Sequence, residues 1–135
     1  MTLVRGADAR RTQTPNAVMT TLATPTQGGT GTVAVWRVDM PAGGRGPLHA
    51  ADVEQVWSLL DGDATIELGD GVLEAAAGDT VVMAADVPRR VTTEGGFAAV
   101  VAAAAGGHVY NPDGVGDGCA MGPKGADRIV PPWAA

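Results

Sequence analysis

The sequence predicts an all-β domain, a barrel or sandwich of short antiparallel strands. Three observations carry this. Apolar, β-branched runs recur from Gly31 onward, Gly, Pro and Asp cut them at close spacing, and no segment keeps a helical period beyond two turns. Strands separated by turn residues without intervening helices build sandwiches and barrels rather than parallel α/β sheets.

The elements follow in order. Residues 32–39 (TVAVWRVD) alternate apolar and polar and end at Pro41. Residues 53–60 (VEQVWSLL) are a second strand, and Asp61-Gly62-Asp63 after them reads as an Asp-Gly turn. The run 64–68 (ATIEL) meets a similar turn at Asp70-Gly71 and returns over 72–75, so two successive hairpins are expected. Strands at 80–83 (TVVM) and 87–93 come next. Residues 97–104 (FAAVVAAA), bordered by Gly96 and Gly106 and centred on Val100 and Val101, read as a strand buried on both faces. These runs divide the chain into an N-terminal arm over 1–30 with an edge strand at 18–22, a barrel core over 31–105, and a Gly- and Pro-rich tail over 106–135. The prolines of the tail exclude a central strand, and Trp133 is expected to pack on the barrel near its mouth or on a partner subunit.

The 135 residues suit one domain, and a chain 45% hydrophobic but 4% aromatic must fill its core with Val, Ala and Leu. Each of Trp36, Trp57 and Trp133 therefore needs a reason. Nine Lys and Arg against 15 Asp and Glu give a net charge of −6, which removes nucleic acid and anionic membrane surfaces as partners. The lone Cys119 forms no internal disulfide, and no apolar run suits a signal peptide or a membrane span of ~20 residues. The expected setting is cytoplasmic. Asp113 and Asp117 lack the regular spacing of a calcium loop and read as an ordinary loop.

The segment 43–62 (GGRGPLHAADVEQVWSLLDG) resembles the first motif of the cupins: a Gly, five residues, His-x-His, three or four residues, Glu, six residues, Gly. Gly43, His49 and Gly62 stand in register, whereas Ala51 replaces the second His and Gln55 the Glu. The second motif is similar from Gly78, with Ala84, Asp86, Arg89 and Thr93 in place of its Pro, Gly, His and Asn, after a short stretch of fifteen residues between Gly62 and Gly78. The resemblance covers about residues 31–105. It implies a small bacterial-type, RmlC-like cupin: a double-stranded β-helix, or jelly-roll barrel, that pairs as a homodimer.

The family's metal set is three His and one Glu inside the barrel. Carried over, it leaves His49 as an imidazole, Gln55 as a weak donor, Ala51 as none, and Arg89 as a permanent cation that repels a metal ion. No metal or other cofactor is therefore expected. Strand alternation points His49, Gln55, Trp57 and Arg89 into one cavity, with Trp36, Met40 and Met83 as further walls. His49 and Arg89 are the candidate catalytic pair, a base beside a cation for a developing enolate. Gln55, Trp57, Trp36, Met83 and Met40 are the candidate ligand contacts. Plainer roles stand beside these: His49 as a satisfied core group, Trp57 as core filler, and Arg89 paired at the rim with Asp52, Glu54 or Asp86.

The expected function is metal-independent binding of a small anionic or carbonyl-containing metabolite, with isomerisation, dehydration or cyclisation as the chemistry. The alternatives are a non-catalytic sensor or carrier, and a metal-dependent oxygenase with unusual ligands.

Overall fold

Strand alternation over residues 33–40 buries Ala34, Trp36, Val38 and Met40 and turns the residues between them outward. The same two-residue period sets the inward faces of the other strands of the barrel. In the computed structural model, residues 1–112 and 128–135 are described, so Asp113, Asp117 and Cys119 lie outside the described residues. The strands are β1 (Arg11–Gln13), β2 (Val18–Ala23), β3 (Val33–Met40), β4 (Ala50–Ala51), β5 (Gln55–Leu68), β6 (Gly71–Ala76), β7 (Thr80–Met83), β8 (Arg89–Thr92), β9 (Phe97–Ala104) and β10 (Val109–Tyr110). A single 3-10 turn, Gly6–Asp8, precedes them, and among the described residues no helix is long and apolar enough to cross a membrane.

All pairings are antiparallel, and β5 is the hub. Its first half lies between β9 and β7, its second half between β6 and β8. One face thus runs β1-β2-β3-β9-β5-β7, and the other is built from β6, the far half of β5, and β8. Isolated bridges from Arg45 to Thr92 and from His49 to Arg89 extend this second face toward the small β4–β10 ladder. β2, expected as an edge, is flanked on both sides, and β1 is the edge instead.

The two expected hairpins become one. Leu68 pairs with Gly71 around Gly69 and Asp70, so the β5–β6 hairpin forms one residue earlier than the Asp70-Gly71 reading. Asp61-Gly62-Asp63 does not turn the chain back. Opposite β9 the register jumps between Leu59 and Asp61, which makes Leu60 an extra, half-exposed residue, and the strand continues. A bulge of this kind bends a strand and inverts the faces beyond it. Before it Gln55, Trp57 and Leu59 point inward; after it Ala64 and Ile66 do. Gly62 sits at φ 73°, and a Cβ there would lie 2.1 Å from the Gly96 carbonyl oxygen. The Asp-Gly signal therefore marked a real backbone need, but β9 and β6 offer hydrogen bonds on both sides of it and the strand bends from one face to the other.

The core gathers Trp36, Val38, Leu59, Ile66, Met83 and Val101 with both other tryptophans. Trp57 and Phe97 meet at 6.4 Å between ring centroids, tilted by 44°.

Gly62→Ala is expected to lower the unfolding free energy by roughly 3 kcal/mol or more, since strain and a backbone clash add. Gly78→Ala, at φ 93° with nothing within 4 Å of the new Cβ, should cost about 1 to 2 kcal/mol. Denaturant unfolding of both variants checks this. Equal losses would show that the approach of β5 to the Gly96 turn does not constrain the bend.

Candidate functional site

Arg89 opens β8 facing inward and is 0% exposed. A bare guanidinium in that position would be prohibitive, so its N–H groups must find acceptors. Nε and Nη2 donate to the Val87 carbonyl at 3.1 and 3.0 Å, and Nη2 also donates to the Ala84 carbonyl at 2.8 Å. Nη1 reaches Gln55 Oε1 at 3.4 Å. Burial pulls the guanidinium below the usual arginine range, opposed by the electrostatic influence of Tyr110 and Asp86. None of the rim carboxylates considered from sequence forms an ion pair with it within the described residues; backbone carbonyls take that place.

Gln55 is consequently not a free amide. Its Oε1 accepts from Arg89 and, at 3.1 Å, from Trp57 Nε1. Two donors on the oxygen fix which end is the nitrogen. The Nε2 group makes no hydrogen bond within the described residues, although Gln55 is only 5% exposed. That amide lines a cavity. So does Trp36, whose indole N–H likewise takes part in no hydrogen bond while the residue is buried. Neither donor atom is among the sealed, unpartnered ones of the described residues, so both are open to an acceptor that enters the space their residues line.

The cavity, about 90 Å³, is lined in its interior by Trp36, Val38, Met40, Trp57 and Val91. His49, Gln55 and Tyr110 bring polar groups to it. His49 lies on the segment paired with β8, exchanging backbone hydrogen bonds with Arg89 at 3.0 and 2.8 Å. Its Nδ1 is 3.0 Å from the Pro47 carbonyl, which can only accept, so Nδ1 is the donor of this contact.

Of the residues expected from sequence, Trp36, Met40, His49, Gln55 and Trp57 line this one cavity. Arg89 and Met83 do not. Arg89 lies behind Gln55, with its guanidinium donating to the carbonyls of Val87 and Ala84 and to Gln55 Oε1. Met83 pairs with Gln55 across β5 and β7 and is fully packed into the core. The cavity also takes Thr14, Asn16, Ala17 and Met19 from the β1–β2 hairpin, Val109 and Tyr110 from β10, and Trp133. Sequence reasoning missed the hairpin and β10 because long-range closure brings them there; Tyr110, the sole tyrosine, was the one available signal.

The donors do not fit a metal ion. His49 is the single imidazole at the ligand positions, Gln55 Oε1 is occupied by two N–H groups, and Arg89 holds a cation in place of a ligand. No three His, Cys, Asp or Glu side chains among the described residues are grouped to hold a metal.

Two further polar contacts involve the segment of Tyr110, which lines the cavity. Asp52 accepts from the His108 backbone N–H at 2.7 Å and pairs with its Nδ1 at 2.9 Å. Tyr110 donates its hydroxyl to Asp86 at 2.7 Å. Asp86 adopts φ 63° at the position of the second motif's glycine, a left-handed conformation that Asp tolerates better than most side chains.

Among known proteins, no family profile and no curated sequence matches this chain. Solved structures do. An RmlC-like cupin from Shewanella frigidimarina is 14% identical over 75% of this chain and 87% of its own, with a TM-score of 0.66. DMSP lyase DddQ from Ruegeria pomeroyi is 22% identical, covering 74% of this chain and 58% of the lyase, with a TM-score of 0.66. Oxalate decarboxylase from Bacillus subtilis is 13% identical over 73% of this chain but 28% of its own, with a TM-score of 0.67. These likenesses show the fold: the chain is a small, single-domain barrel of the cupin type.

Arg89→Met should lower stability by about 3 kcal/mol, because it strands buried carbonyls, whereas Arg37→Met, which breaks the half-exposed pair with Asp39, should cost at most about 1 kcal/mol. Unfolding curves that put the two losses level would remove the clamp. The Tyr110 hydroxyl titrates above its ordinary range, chiefly through its hydrogen bond to Asp86 and then through burial. Its neutral form is thus the one the fold favours, and this contribution is present below the ordinary pKa of ~10 and lost as pH rises through the folded value. Phenolate absorbance should appear later than in free tyrosine and move back in Asp86→Gly; an unshifted titration in the wild type would contradict the contact.

Proposed function

We propose that this protein is a metal-independent cupin that binds a small, largely apolar metabolite by a carbonyl oxygen and moves a proton on it. The observation that carries this reading is the Gln55 amide, whose oxygen is taken by Trp57 and Arg89, which leaves its nitrogen as the open donor of a cavity-lining residue. Trp36 lines the same cavity and brings a second N–H with no hydrogen bond within the described residues. A ligand oxygen takes these donors in a cavity that no Lys or Arg of the described residues lines. The Arg89 charge lies one hydrogen bond behind Gln55, so the amide is polarised toward an oxygen that gains negative charge, as a carbonyl does on becoming an enolate.

His49 supplies the proton-transfer group, with its Nδ1 side held at the Pro47 carbonyl. Isomerisation, dehydration and cyclisation all proceed through such a step. A carrier or sensor without turnover is the second reading, supported by the mostly apolar walls. The homodimer and cytoplasmic setting expected from sequence belong to the same proposal: exposed Val82, beside Val56 on the outer face of β5 and β7, offers an apolar surface for pairing.

The test begins with the compound extracted from protein purified without chelator and identified by mass spectrometry. Gln55→Leu should weaken its binding roughly ten- to a hundredfold, and His49→Ala should keep binding while turnover falls about 10²- to 10⁴-fold. Unchanged affinity in Gln55→Leu would overturn the site. Tight binding with no conversion by the wild type would select the carrier, and stoichiometric iron, manganese, nickel or zinc lost on mutating His49 would overturn metal independence.

A further inference from the structure

Residues 128–135 return across the barrel and are fastened at several points. The Arg128 guanidinium carbon sits 3.9 Å above the Tyr110 ring, and its Nη1 lies 3.9 Å from both Asp52 and Asp86. Ile129 and Val109 exchange backbone hydrogen bonds at 2.8 and 3.1 Å. Thr21 Oγ1 donates to the Trp133 carbonyl at 2.9 Å. The Ala135 oxygen accepts from Thr24 Oγ1 at 2.6 Å and from Arg10 Nη2 at 3.1 Å.

Between these fastenings the Trp133 side chain, 9% exposed, enters the core and lines the ligand cavity. None of the fastenings uses its indole. The segment is therefore held in place whatever side chain stands at 133, and removing the ring should open space rather than release the strap. The other two tryptophans of the cavity differ. Trp36 belongs to β3, paired on both sides, and Trp57 is tied through its N–H to Gln55. Of the cavity residues drawn from the β1–β2 hairpin, Thr14 and Asn16 are polar and Ala17 and Met19 apolar. They border the same strand that holds Trp133 through Thr21.

We infer that Trp133 is the specificity-determining residue of this cavity, the wall that limits the length of the ligand's apolar part. The inference rests on the binding site proposed above, with the oxygen at Gln55 and Trp36. At about 90 Å³ the cavity is smaller than the engineered cavity of roughly 150 Å³ that accepts benzene, so one large ring in its wall decides what enters.

The test titrates the full chain with methyl ketones of increasing length, from butanone to decanone, following binding by calorimetry. The wild type should bind the short ketones and lose about tenfold or more in affinity beyond a definite length. In Trp133→Ala that cut-off should move to longer chains, while the short ketones bind a few fold more weakly for want of contact. Trp133→Leu, a smaller change, serves if the alanine variant does not fold, and melting curves establish folding for each. Ketone binding with an unmoved cut-off in a folded variant would overturn the inference alone. Failure of the wild type to bind any ketone would instead overturn the Gln55-centred site, and the inference with it.

Discussion

A buried guanidinium is the constraint on which the site turns. Arg89 occupies the interior of a barrel whose core is mainly aliphatic and aromatic, and desolvation acts against its charge. The charge is tolerated because the carbonyls of Ala84 and Val87, in the turn leading into β8, point at it. That arrangement fixes the turn, and the turn's Asp86 reaches Tyr110. The guanidinium also reaches Gln55 and, with Trp57, decides the orientation of that amide. The interior of this barrel thus holds a cation of the chain's own, satisfied by backbone dipoles.

The second constraint is the bend in β5. A strand of fourteen residues cannot serve two faces of a barrel without a local change in twist and parity. The extra residue Leu60 and the positive φ of Gly62 provide both. The inversion of faces matters chemically, because it lets Gln55 and Trp57 face the cavity in the first half while Ala64 and Ile66 close the core in the second. Side chains at equal spacing along an unbent strand would have sent one of these sets to solvent.

The cavity is completed from both ends of the chain. The β1–β2 hairpin supplies Thr14, Asn16, Ala17 and Met19, and the segment after residue 127 supplies Trp133. The two are linked by Thr21, Thr24 and Arg10 to the backbone of residues 133–135. The barrel strands thus provide the polar chemistry, and the terminal segments provide the enclosure.

The sequence by itself determined the strands and their inward faces, because a two-residue period and glycine-marked turns are local properties. The strands read at 32–39, 80–83 and 97–104 needed no tertiary information, although Ala102 and Ala104 are exposed where burial on both faces was expected, and neither did the inward direction of Gln55 and Trp57. Only the tertiary structure decided what those inward residues do. The Asp61-Gly62-Asp63 signal was legible as a backbone irregularity, but whether it turned or bulged depended on β9 and β6 standing ready to pair on each side. Arg89 was legible as buried and cationic. Its partners were not, since backbone carbonyls carry no sequence mark, and they hold it where it supports Gln55. The wall formed by Trp133 depended on closure across more than a hundred residues, from Thr21 to Trp133, which no local pattern encodes.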